Sequence, residues 1–175
     1  MASLRPVVLA LLLLSTAPLA RAALARQQAA QPPALAIIVH RSNPAEGLRF
    51  SELRHIFMLD IQTWPNGRKI TVVLREKGQP ERAEALGIIC GLSERDYDRH
   101  MLFRTLQGSV NFGPRAIQSA PAMLRFVYNA PGAIGYVNAD EADSSVKVLR
   151  IDGLLPDDPK YPIRRQSSGR PDPDW

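Results

Sequence analysis

Two short runs of apolar and β-branched residues limit what this chain can fold into: Leu-Ala-Ile-Ile-Val at 35–39 and Ile-Thr-Val-Val-Leu at 70–74. Each is too short for a helix and too uniformly apolar for a strand with one face in water. They read as strands covered on both faces, as in parallel sheets with helices above and below. A third run, Ala-Ile-Gly-Tyr-Val at 133–137, repeats the pattern, and its Gly135 marks a place where another backbone or a ligand comes close. Residues 146–151 alternate in character and predict a fourth strand nearer an edge. The fold class that follows is α/β, a three-layer sandwich around a small, mostly parallel sheet.

Helical patterns fill the gaps between these strands. Ser51 is placed to cap a short helix with Leu53, Ile56 and Phe57 on one face. Trp64-Pro-Asn-Gly67 predicts a tight turn into the second strand, with Trp64 as a lid over the core. A helix over 80–90 turns Leu86, Ile89 and Cys90 inward and stops at Gly91. Ser93-Glu-Arg-Asp96 opens another, which stops near Gly108. The stretch 108–118, with two glycines and a proline, predicts an irregular loop, and Ser119 caps a last helix ended by Pro131-Gly132. His40, His55 and His100 lie at isolated positions, without the short spacings that place two imidazoles on one metal.

The second strand runs into a charged turn, Arg75-Glu-Lys-Gly-Gln-Pro80. Gln79-Pro80 is placed to open the following helix. Open α/β sheets bind ligands outside the carboxyl ends of their strands, so this turn is the candidate site, with two cations and a glycine available to an anion. Cys90, the single cysteine, falls at helical spacing with core residues and reads as a small interior side chain. The chain has no glycine-rich nucleotide fingerprint, no cysteine–histidine metal spacing and no nucleophile-elbow serine, so neither cofactor nor enzymatic activity is expected.

A chain of 175 residues, 45% hydrophobic and 22% charged, suits one domain with its own core. Residues 1–22 have the form of a secretory signal: Arg5, then an apolar run over 7–14 too short to span a bilayer, then Ala20-Arg21-Ala22, predicting cleavage after Ala22. Losing Arg5 and Arg21 takes the net charge from +5 to +3. The remaining arginines are scattered among acids, which argues against nucleic acid as a partner. Residues 23–34 read as a flexible lead-in, 35–151 as the domain, and 152–175, with five prolines from Pro156 onward, as a disordered tail.

The order of motifs resembles a known family. Ser51-Glu-Leu-Arg-His-Ile-Phe57, Thr63-Trp-Pro-Asn-Gly67, a strand ending in Arg75, and Pro131-Gly-Ala-Ile-Gly-Tyr-Val137 are together similar to the phosphate-binding branch of the type II periplasmic binding proteins, the solute receptors of ABC importers. That family has two α/β lobes around a cleft, and this sequence looks like the second lobe alone. The resemblance implies a secreted or periplasmic, non-enzymatic domain holding phosphate or another small anion at Arg75, Lys77, Gly78, Gln79 and Arg82. Arg75 and Gly78 match the family's phosphate loop. Gln79, Pro80 and Glu81 stand where its Ser-Gly-Thr would be, which removes two hydroxyls and an N–H and adds a carboxylate, so binding is expected to be weak. The competing expectation is an interaction module: a lobe that has lost its ligand and contacts a membrane transporter, a sensor protein or a second copy of itself.

Overall fold

The computed structural model describes residues 34–110 and 113–165. In chain order the elements are β1 (Leu35–Val39), β2 (Gly47–Leu48), α1 (Phe50–Phe57), β3 (Thr71–Arg75), α2 (Pro80–Ala85), α3 (Glu94–Leu106), β4 (Arg115–Ile117), α4 (Ala120–Asn129), β5 (Ala133–Asn138), β6 (Lys147–Val148) and β7 (Arg150–Ile151). A π-helical turn, Leu86–Cys90, continues α2. Among the described residues no helix is long and apolar enough to cross a membrane. The expected signal over 1–22 and the lead-in up to residue 33 lie outside the described residues.

Five strands form one sheet in the order β4-β3-β5-β1-β6. β3 pairs in parallel with both β4 and β5, whereas β1 pairs antiparallel with β5 and β6. β1 therefore runs against the other four, and the sheet is mixed but mostly parallel. β2 and β7 form a separate parallel ribbon.

Both faces of the sheet are covered, as the apolar runs require. Leu35, Ile37, Val39, Val72, Leu74, Ile134 and Tyr136 point to one face, where Leu53, Ile56 and Phe57 of α1, Leu86 and Ile89 of the π turn and Tyr97 of α3 pack on them. Ala36, Ile38, Val73, Ala133 and Val137 point to the other, under Ala120, Met123 and Val127 of α4. Fully burying a side chain of this kind contributes about 1.5–3 kcal/mol. All of β1 is buried, so shifting it by one residue would exchange its two core faces. Two hydrogen bonds tie the layers: the Tyr97 hydroxyl donates to the Phe57 carbonyl at 2.7 Å, and the Trp64 indole N–H to the Gly132 carbonyl at 3.1 Å. Trp64 is buried, as a lid over the core should be.

The close approaches signalled by glycine are real. A Cβ at Gly132 would lie 2.2 Å from the Lys69 carbonyl oxygen, and one at Gly135 would lie 2.8 Å from the Met123 sulfur. Gly135 is what lets α4 settle on the sheet.

Three expectations need correction. Ser51 does not cap α1; the helix starts two residues earlier, with Arg49 as N-cap, because the Glu52 carboxylate accepts the Arg49 N–H at 2.8 Å. The stretch 108–118 is not wholly irregular, since β4 forms within it as an edge strand. Disorder from 152 onward fails for residues 152–165. Tyr161 and Ile163 are buried in the main core, the Ile163 carbonyl accepts the Leu35 N–H at 2.9 Å, and Arg164 bridges to Ala34. Arg164 holds this segment in shape by donating to the Pro156 and Asp158 carbonyls, both at 2.6 Å from Nη2.

Candidate ligand-binding site

Because β3, β4 and β5 run in parallel, their carboxyl ends meet at one edge of the sheet. β3 delivers Arg75 there, on the α4 face shared with Val73. α4 brings Ala120 behind its cap, Ser119, whose hydroxyl accepts the Ala122 N–H at 3.3 Å. β5 brings Tyr136, Val137 and Asn138, and the turn after it brings Glu141. Arg75, Glu81, Ala120, Tyr136, Val137, Asn138 and Glu141 line a small cavity of about 10 Å³, room for about one water.

Arg75 is 9% exposed, and its Nε and Nη1 are buried without a hydrogen-bond partner. Interior guanidinium groups are normally paired, so an unpaired one is a conspicuous departure. Its backbone is fully engaged: the amide donates to the Tyr136 hydroxyl at 3.1 Å and the carbonyl accepts from Arg82 Nη1 at 3.0 Å. Burial, partly opposed by that amide, pushes the Tyr136 phenol up to about 12, so it keeps its proton and retains a donor. Glu81 Oε2 is likewise buried with no partner. Glu141 Oε2 accepts the N–H and the side-chain amide of Asn138, each at 3.0 Å.

The other sequence-nominated residues take different places. Arg82 is buried and does not line the cavity; it is ion-paired through Nε with Glu94 at 2.9 Å and through Nη2 with Asp98 at 3.1 Å. Lys77 is exposed and pairs with Asp98 at 2.7 Å. These two cations fasten the turn and α2 to α3, which corrects the expectation that they face a ligand. Gly78 adopts a φ of +79°, the left-handed backbone its turn requires. The Gln79 N–H donates to the Glu76 carbonyl at 3.3 Å, closing that turn. Sequence reasoning missed Tyr136, Asn138 and Glu141. The signal available was Tyr136 itself, a polar-tipped residue at the carboxyl end of a buried strand.

His40 and Ser42 sit at the opposite edge of the sheet, the Ser42 hydroxyl 2.8 Å from His40 Nδ1. The Ser42 N–H donates to the same nitrogen at 3.0 Å, which makes the pair a turn closure. His55 is exposed and bonded to Asp60 at 3.1 Å. Cys90 is buried, and burial pushes its thiol up to about 12, leaving it protonated and inert.

Helices cover both faces of the sheet, and a small polar cavity lies at its carboxyl edge. No family model and no curated protein matches the chain by sequence. Among solved structures it is similar to an ABC-type phosphate transport receptor from Vibrio cholerae, with 23% identity and a TM-score of 0.58 over 72% of this chain and 49% of that one. PstS from Borrelia burgdorferi aligns with 16% identity and a TM-score of 0.61 over 77% of this chain and 55% of the other. The phosphate-binding protein from Stenotrophomonas maltophilia gives 19% and 0.54 over 72% and 41%. At these identities the likeness establishes the fold: that of one lobe of a phosphate ABC receptor. The chain spans about half the length of the receptors it matches.

Proposed function

We propose that this protein is a secreted or periplasmic solute-binding domain, not an enzyme, and that it holds phosphate or another small anion weakly at Arg75. The carrying observation is the Arg75 guanidinium, buried at the carboxyl edge with two unpartnered nitrogens. An anion there would satisfy donors that otherwise cost about 1–3 kcal/mol to leave unmade. The Gly78–Gln79 turn links Arg75 to Glu81 in the chain. The receptors that share the fold carry phosphate in their names, which supports an anion as ligand and a membrane transporter as partner. Weakness follows from Glu81, whose carboxylate lines the same cavity.

Phosphate titration calorimetry on the mature chain, cleaved after Ala22, tests this. Binding in the millimolar range is expected, abolished by Arg75→Ala and strengthened by Glu81→Thr. An affinity indifferent to Arg75→Ala sinks the reading.

One observation favours the second reading, an interaction module. On α3, Leu102, Phe103 and Leu106 are 59%, 57% and 74% exposed, at spacings that put them on one side of the helix. A patch of this kind marks a contact surface for a protein partner or a second copy. Concentration-dependent sedimentation that Leu106→Glu abolishes would support self-association.

A further inference from the structure

We infer that residues 171–175 add to the open edge of the sheet as a strand outside β4, with Trp175 seated in the groove between β4 and α4. This goes beyond the reading of Arg75 and does not depend on it.

The edge sets the terms. Among the described residues β4 pairs with β3 alone, so its outer side is open. The Ile117 carbonyl accepts the Glu76 N–H at 3.0 Å, which turns the polar groups of Arg115 and Ile117 towards β3 and, by the alternation of a strand, those of Ala116 outward. Such an edge is a template for another extended segment. Beside it lies a mostly apolar groove of about 470 Å³, walled by Ile117 of β4 and by Pro121, Ala122, Arg125 and Phe126 of α4.

The sequence contains a segment that fits. Pro171-Asp-Pro-Asp-Trp175 alternates apolar and acidic residues with the period of a strand. Laid antiparallel to β4, it turns Pro171, Pro173 and Trp175 to the groove and the N–H groups of Asp172 and Asp174 to Ala116. The prolines, which have no N–H to donate, then fall on the edge that faces water, where a strand tolerates them and where they stop a next strand from adding. A parallel course would turn the prolines onto Ala116 instead. The route selects the antiparallel course: Arg164 bridges to Ala34 at the carboxyl edge, where β4 also ends, so the chain enters the groove from that edge. From β1 to a strand outside β4 is four spacings, about 19 Å, and the six chain steps from Arg165 to Pro171 cover up to about 21 Å. The pair of Arg165 with Glu84 already draws the chain towards α2, which follows β3. A second copy of β4 fits this edge less well, because it would bring the exposed Arg115 and Arg125 of both chains onto one face. Trp175 instead offers Arg125 an aromatic face.

The test is acrylamide quenching of tryptophan fluorescence on the mature chain, which has two tryptophans, one of them the buried Trp64. A Trp175→Ala variant gives the Trp64 signal to subtract. Trp175 is expected to be quenched at least threefold less than in a synthetic peptide of residues 166–175, at every protein concentration. Asp172→Pro with Asp174→Pro, which removes the inward N–H groups, and Ala122→Phe, which fills the groove, should each restore the quenching of the free peptide. The two aspartate changes lie outside the folded core, so they keep the test decisive if thermal melting shows that Ala122→Phe has unfolded the domain. Trp175 quenched as fully as the peptide in the unsubstituted chain overturns the inference. So does protection that survives either set of substitutions in a folded chain, and so does protection that appears only as concentration rises, which would place the segment on another copy. None of these outcomes bears on phosphate binding at Arg75, which is measured separately.

Discussion

Arg75 and Arg82 are seven positions apart, both buried, and face opposite fates. Arg82 has two carboxylates and a carbonyl, so Arg82→Met should strand Glu94 and Asp98. The expected loss is about 3 kcal/mol, the low end for a broken buried pair because both carboxylates keep some water. Arg75 has open nitrogens, so Arg75→Met should raise stability by about 1–3 kcal/mol while destroying binding. Urea denaturation of the two variants measures both, and equal losses would mean that Arg75 is an ordinary structural arginine. The sequence shows that each arginine exists but not which one is spent. The partners of Arg82 lie 12 and 16 residues ahead on α3, and only the fold brings them back. Arg75 was legible because strand direction alone puts it at the carboxyl edge of the sheet.

Between elements, α1 and α3 are pinned by Asp60, which accepts from Arg104 Nη1 at 2.5 Å and from His55 at 3.1 Å. Burial raises the Asp60 carboxyl, but His55 and Arg104 together outweigh it and hold the group below the usual aspartate range. A depressed carboxyl contributes stability that is present above its unfolded pKa, near 3.9, and disappears as pH falls through the folded value. The wild-type chain should therefore lose this contribution only below about pH 4, and Asp60→Asn should flatten that part of the stability curve. The size is modest, under about 1 kcal/mol, because the pair is partly solvated. Thermal melting from pH 3 to 7 checks it, and an unchanged acid limb would remove Asp60 from the account. Elements with strong local signals were legible in the sequence: Ser93 and Ser119 both cap their helices, and Gly91 ends the π turn in a left-handed conformation. β4 was not legible, since two exposed residues and one half-buried one after a proline have no period to read, and its strand character comes from pairing with β3. Nor does a continuous apolar run encode direction, which is why the antiparallel course of β1 is a tertiary outcome.

At the scale of the molecule, the segment after β7 decides where the folded unit ends. Its proline content suggests a chain that cannot order, yet proline only removes donors and fixes φ, and it leaves side chains free to anchor. Tyr161 and Ile163, two residues apart, supply the anchors, and the Leu35 N–H, which has no sheet partner at the start of β1, finds its acceptor in Ile163. Arg165 pairs with Glu84 in two hydrogen bonds, so the same segment also grips α2, whose first turn carries Glu81. This makes the segment part of the scaffold behind the candidate site. Ile163→Ala should cost about 2–5 kcal/mol, the range for a large core residue cut to alanine. A surface tail would tolerate the change within about 0.5 kcal/mol. Arg165→Ala should cost little stability but quicken amide exchange in α2, because it releases one end of that helix without opening the core. If Ile163→Ala unfolds at the wild-type urea midpoint, the packed segment does not contribute to the core and the domain ends at Ile151, where the alternation of the last strand first placed it.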